Sequence, residues 1–178
     1  METVDLGLTG ISTSQLCFGT GTNGWNHRSN QGDLGVERLS YLLQFAHERG
    51  VTFWDSADMY GTHQHVAHAL RTIDRETVTL TSKTVSRTAA EVRSDVERFL
   101  EELNTDYIDI LLLHCLTDGD WTKSMVGPMD VLNEFKSQGK IRAVGCSCHD
   151  FNALKAASEL GVRISRSSGR CRSSRNWR

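Results

Sequence analysis

The sequence lacks several features that would place it quickly. No stretch of about 18 apolar residues occurs, so no membrane-spanning helix is expected. The first residues, Met1-Glu2-Thr3-Val4-Asp5, are acidic and carry no apolar run, so no signal peptide is expected. There is no basic excess: 20 Lys and Arg face 22 Asp and Glu, a formal net charge of -2, which offers no field for nucleic acid. Five cysteines are an odd number at irregular spacing, unlike a disulfide framework, and a reduced, cytoplasmic setting is the default expectation. No internal repeat and no linker is visible. What is present is a 178-residue chain with 38% hydrophobic and 24% charged residues, enough to build a core. Its C-terminal segment differs from the rest. Residues 162–178 hold six arginines and no acid, which leaves 14 basic against 22 acidic residues in the body.

Short apolar stretches alternate with helical periodicity from Ser14 onward. Strands are expected over residues 14–19, 51–54, 78–80, 107–113 and 141–147. Helices are expected over 36–49, 66–73, 88–103, 129–138 and 151–160. The third helix is the clearest. Thr88 and Glu91 form a capping box, and Val92, Val96, Phe99 and Leu103 line one stripe. Residues 4–13 read as a small hairpin, and 162–164 as the start of a sixth strand. Strand followed by helix, five times over, is the mark of βα units on a parallel sheet. An open doubly wound sheet and a (β/α)₈ barrel share that pattern, the barrel needing roughly 250 residues.

Three motifs invite chemical readings and fit them poorly. Gly19-Thr20-Gly21-Thr22-Asn23-Gly24 matches G-x-G-x-x-G, but no helix opens from it and no acid lies between Glu37 and Glu48. A dinucleotide fingerprint requires both, so a βα loop is the plainer reading. His63, His65 and His68 have poor metal spacing at the start of a helix, and are expected as exposed helix-surface histidines. Cys146, Cys148 and His149, with Cys115, lack the C-x₂-C spacing of a zinc cluster, and no metal is expected. A stronger signal is a row of polar residues at successive strand ends: Asp55 with Tyr60 five residues on, Lys83, His114 and Ser147. That rim is where α/β proteins place chemistry.

Residues 53–61 (FWDSADMYG), Ser82-Lys83, residues 106–114 (DYIDILLLH) and residues 139–147 (GKIRAVGCS) resemble the aldo-keto reductases. The resemblance runs from the hairpin to about Arg163. It implies an incomplete (β/α)₈ TIM barrel of about five units plus the start of strand six, in residues 1–164. Residues 165–178 then form an Arg/Ser-rich tail without helix or strand period, expected to be disordered and to mark a truncated or frameshifted end. The resemblance also implies reduction of an aldehyde or ketone with NADPH or NADH, using Asp55, Tyr60, Lys83 and His114. Tyr60 would exchange the proton, and Lys83 beside it is expected to lower its pKa. Asp55 would hold Lys83, and His114 would orient the carbonyl. Gly19, Thr20, Asp55, Ser147 and Cys148 would line the cofactor, Cys148 standing where the family usually has Asn. Trp25, Trp54 and His114 are candidate pocket walls. The expected partner is a small carbonyl compound, with no nucleic acid or membrane, and open sheet edges would allow self-association. Two alternatives are a non-enzymatic half-barrel or interaction subunit, and a metal-dependent barrel hydrolase built on His63, His65, Lys83, His114 and His149.

Overall fold

The computed structural model describes residues 1–159. The expected start of strand six, the end of the last helix and the Arg/Ser tail lie outside the described residues. The chain opens with an antiparallel hairpin, β1 (Thr3–Asp5) and β2 (Ser12–Ser14). Five parallel strands follow: β3 (Cys17–Gly19), β4 (Phe53–Asp55), β5 (Thr79–Thr84), β6 (Ile108–Leu116) and β7 (Ile141–Cys148). Helices α1 (Val36–Glu48), α2 (His63–Leu70), α3 (Ala89–Leu103), α4 (Trp121–Ser124), α5 (Val126–Ser137) and α6 (Phe151–Glu159) connect and follow them.

The strands pair in chain order, β3 to β7, without reversal. A doubly wound sheet reverses its order at a switch point, whereas successive neighbours are the rule in a barrel. The molecule is therefore a partial (β/α)₈ barrel, and the alternation along each strand divides two cores. The larger lies between sheet and helices. Leu111, Leu113 and Cys146 meet Leu39 and Leu43 of α1, Val92, Val96, Phe99 and Leu103 of α3, and Leu132 and Phe135 of α5. Each such side chain contributes about 1.5–3 kcal/mol of burial. The smaller core is the concave face, where Ile110, Leu112 and Ala143 pack on Ile11 of the hairpin. The hairpin closes the N-terminal end of the strands. The Ser14 hydroxyl accepts from the backbone N–H groups of Thr52 and Phe53 at 3.0 Å each. At the same end, fully buried Asp109 accepts from Arg75 at 2.8 Å, Arg142 at 2.6 Å and the Leu80 N–H at 3.0 Å.

Helix α3 has the expected cap. The Thr88 hydroxyl accepts from the Glu91 N–H, the Glu91 carboxylate accepts from the Thr88 N–H, and left-handed Asn104 ends the helix. Other boundaries move. β5 continues to Thr84 because both faces of the strand are covered, so Thr81, Ser82, Lys83 and Thr84 are all buried despite their polarity. α2 begins at His63 rather than residue 66, and α5 at Val126 rather than 129. The histidine expectation needs correction as well. His63 and His65 are buried, not exposed, because α2 presses that face between α1 and α3. Among the described residues no helix is long and apolar enough to cross a membrane.

Candidate active site

The C-terminal ends of the strands bring four of the predicted residues together. Asp55 ends β4, and the chain then turns through a 3-10 segment, Asp58–Tyr60, that swings Tyr60 back over the strand ends. Gly61 stops this turn with φ 64°, and a Cβ there would collide with the His27 carbonyl. Lys83 reaches up from β5 and is 2% exposed. Its ammonium lies 2.6 Å from Asp55 Oδ1, donates to the Ser56 carbonyl at 2.9 Å and donates to Tyr60 Oη at 3.4 Å. His114, from β6, meets Tyr60 edge to face with ring centroids 5.7 Å apart.

Electrostatics differ from the expectation at Tyr60. Burial is the largest influence and pushes the phenol above its ordinary range, against the opposing pull of Lys83. The expected net lowering by Lys83 is therefore corrected. Lys83 limits the rise without reversing it. Burial, aided by Lys83 and His149, holds His114 down at about 3. A neutral imidazole faces Tyr60, and its Nδ1 is buried without a hydrogen-bond partner among the described residues.

The remaining predicted residues divide. Ser147 lies one residue before the end of β7 on the concave side, buried, and its Oγ accepts from the Cys115 N–H at 3.4 Å. Cys148 follows with its Sγ 3.8 Å from Cys146 Sγ, on the side facing the helices. The Thr20 hydroxyl is committed to protein, donating to the Asp55 carbonyl at 3.0 Å and lying 2.8 Å from the Thr62 hydroxyl. Gly19 has open space where a Cβ would stand. One pocket assignment needs correction. Trp54 is fully buried in the core between sheet and helices, its indole N–H donating to the Val51 carbonyl at 3.1 Å. Alternation along β4 turns it away from Asp55. Trp25 sits 67% exposed on the loop after β3. His63, His65 and His68 do not join the cluster as a metal triad. His63 lies between Glu102 at 2.7 Å and Ser82 at 2.8 Å.

Two supports escaped the sequence reading. Gly21 and Gly24 lie against the Tyr60 ring so closely that a Cβ on either would overlap it. The glycine pattern thus makes room for an aromatic ring. Second, Arg98 of α3 pairs at 2.8 Å with Asp58, the first residue of the turn that carries Tyr60, and at 2.9 Å with Glu102. A helical i, i+4 pair was visible in sequence, but its reach to Asp58 was not.

The chain as a whole matches a known family. The profile of the aldo/keto reductase family matches residues 15–172. The chain belongs to this family. Its similarity to the NADH-specific methylglyoxal reductase of Escherichia coli is 27% identity over 90% of this chain and 56% of that protein. A probable aldo-keto reductase 1 of Glycine max is 28% identical over 83% of this chain and 45% of its own length. A thermostable aldo-keto reductase solved with the inhibitor epalrestat superposes with a TM-score of 0.72 at 27% identity, covering 89% of this chain and 58% of that one. The chain spans about half the length of the curated relatives it matches.

Proposed function

We propose that the chain reduces an aldehyde or ketone to an alcohol with a nicotinamide cofactor, with Tyr60 as proton donor. The observation that carries this reading is the Lys83 ammonium held between Asp55, at 2.6 Å, and Tyr60 Oη, at 3.4 Å. Ser147, Asp55 and the open space over Gly19 fit the nicotinamide end of such a cofactor. NADPH and NADH both remain candidates, and the Escherichia coli relative is named for NADH. The bound nicotinamide would supply hydride to the carbonyl carbon.

Burial keeps Tyr60 protonated at neutral pH, so its O–H is present when negative charge develops on the carbonyl oxygen. An alkoxide is far more basic than a phenolate, and the proton moves from Tyr60 Oη to that oxygen. Lys83 then stabilises the phenolate left behind, and Asp55 keeps the ammonium in place. Neutral His114 donates a hydrogen bond to the same oxygen and fixes its direction. In oxidation Tyr60 acts as the base. Cys17, Cys146 and Cys148 are thiols, which suits the reducing cytoplasm.

The test is Tyr60→Phe assayed with a small aldehyde and either cofactor. Turnover is expected to vanish while cofactor affinity, read by nucleotide fluorescence, stays nearly unchanged. Turnover at the parent rate would overturn the role given to Tyr60. A second reading, a half-barrel without catalysis, rests on β3 and β7, each of which pairs on one side among the described residues. Such edges invite pairing with another strand or a second copy. Absence of cofactor binding in the parent chain would favour it.

A further inference from the structure

Strand β6 contains an irregularity that changes what its end can hold. Its pairing with β7 runs in register to Leu113 and Cys146, slips, and resumes at Leu116 and Cys148. Within the slip, Cys115 adopts φ 58°, a left-handed conformation that is unfavourable for a residue with a side chain. The Arg87 guanidinium pins this bulge by donating to the carbonyls of His114, at 2.8 Å, and Cys115, at 3.3 Å. In an unbroken strand the side chains of His114 and Cys115 would point to opposite faces. Bulges re-aim side chains, and this one brings both to the rim. Cys115 Sγ lies 3.7 Å from His149 Nε2, and the His149 ring stands 5.9 Å from that of His114. The backbone N–H of His149 donates to the Leu116 carbonyl at 2.8 Å, which fixes the third member to the same strand.

One donor atom from each of His114, Cys115 and His149 lies within 4.8 Å of the other two. His114 is 4% exposed, and its Nδ1 is unpartnered among the described residues. A thiolate with two imidazoles is a donor set for zinc. Metal bonds of about 2.0–2.3 Å place tetrahedral donors roughly 3.5 Å apart, so Cys115 and His149, at 3.7 Å, already stand near that spacing and the His114 donor has about an ångström to close at most. The absence of a carboxylate from the triad disfavours magnesium and calcium.

We propose that His114, Cys115 and His149 bind one divalent cation of the zinc class at the strand rim beside Tyr60. On binding, Cys115 releases its S–H proton to solvent and a sulfur–metal bond forms. Each imidazole donates a ring-nitrogen lone pair, and water takes the fourth position. No electron is transferred. Occupancy would withdraw His114 from a carbonyl substrate, so the cation would act as an inhibitor; that consequence rests on the role proposed for His114, whereas metal binding does not.

The experiment is titration of the full chain with Co²⁺, followed by thiolate-to-cobalt charge-transfer absorption and the intense visible bands of four-coordinate cobalt. The expected result is saturation at one Co²⁺ per chain and displacement by Zn²⁺. Cys115→Ser should abolish the charge-transfer band, and His149→Asn should weaken binding at least tenfold. Cys148→Ser should leave both unchanged. His149 stands outside the bulge, so its variant keeps the test decisive if Cys115→Ser disturbs the strand. No charge-transfer band, a band that survives Cys115→Ser, affinity untouched by His149→Asn, or loss of the band in Cys148→Ser would each overturn the proposal.

Discussion

A side chain as small as methyl at Gly21 would overlap the ring of Tyr60. The loop after β3 therefore sets the position of the proposed proton donor from above, while Lys83 sets it from below. Gly21→Ala is expected to displace the ring by about an ångström and lower the proposed turnover by about a hundredfold. The strands do not include Gly21, so the thermal midpoint should move little. Steady-state kinetics beside a melting curve checks both halves, and full turnover in the variant would refute this packing argument.

Asp55 and Lys83 form a buried ion pair with 17% and 2% of their side chains exposed. Removing one partner from such a pair leaves a charge without compensation. Asp55→Asn should destabilise the chain by about 3–5 kcal/mol, read as a lowered urea midpoint. The exposed Arg28–Asp33 pair, at 2.8 Å, is the control. Asp33→Asn should leave the midpoint where it was, because water screens that pair already.

Acid should loosen the support beneath Tyr60. Hydrogen bonds from His63 and Arg98 hold Glu102 down to about 2, from an ordinary 4.5. Its folded pKa is depressed, so the unfolded chain binds the proton first as pH falls. The stabilisation is present above about pH 4.5 and disappears as pH falls through about 2. It amounts to about 1 kcal/mol once solvent screening is counted. Urea unfolding of the parent and Glu102→Gln from pH 7 downward should show a stability gap that narrows across that window. A gap of constant size would contradict the assignment.

The thiols should differ sharply in reactivity. Burial, followed by the charge of Asp55, pushes Cys17 up to about 12. The Cys146 S–H instead donates to Cys148 and lowers the latter. Since thiolate is the nucleophile, iodoacetamide at pH 8 should label Cys148 at least tenfold faster than Cys17, read by peptide mass spectrometry. Cys146→Ala should slow labelling of Cys148 by removing its donor.

These residues differ in how openly the sequence announces them. The capping box of α3 and its four-residue apolar stripe are local patterns, and the structure carries both. The placing of Asp55, Lys83, His114 and Ser147 toward the C-terminal ends of their strands follows from βα periodicity, although β5, β6 and β7 run one to two residues further than the pattern marks. The full length of β5 did not follow, because Thr81, Ser82, Lys83 and Thr84 look like a surface until both faces are covered. The inward turn of Trp54 is hidden for a related reason: a three-residue strand gives little indication of which alternate faces the helices. The burial of His63 is not legible locally because its partners Ser82 and Glu102 lie 19 and 39 residues away. The spacing of Cys115 and His149 looks wrong for shared chemistry until the left-handed turn at Cys115 is known.

Ile11 meets Ile110, Leu112 and Ala143 across roughly a hundred residues of chain. Loop closure over such a span makes this contact entropically demanding early in folding. The floor of the sheet is therefore expected to form late: the Ile11 contact has its apolar partners only once β6 and β7 are paired. The hairpin, local in its own pairing, is expected to be among the last elements to settle on the sheet.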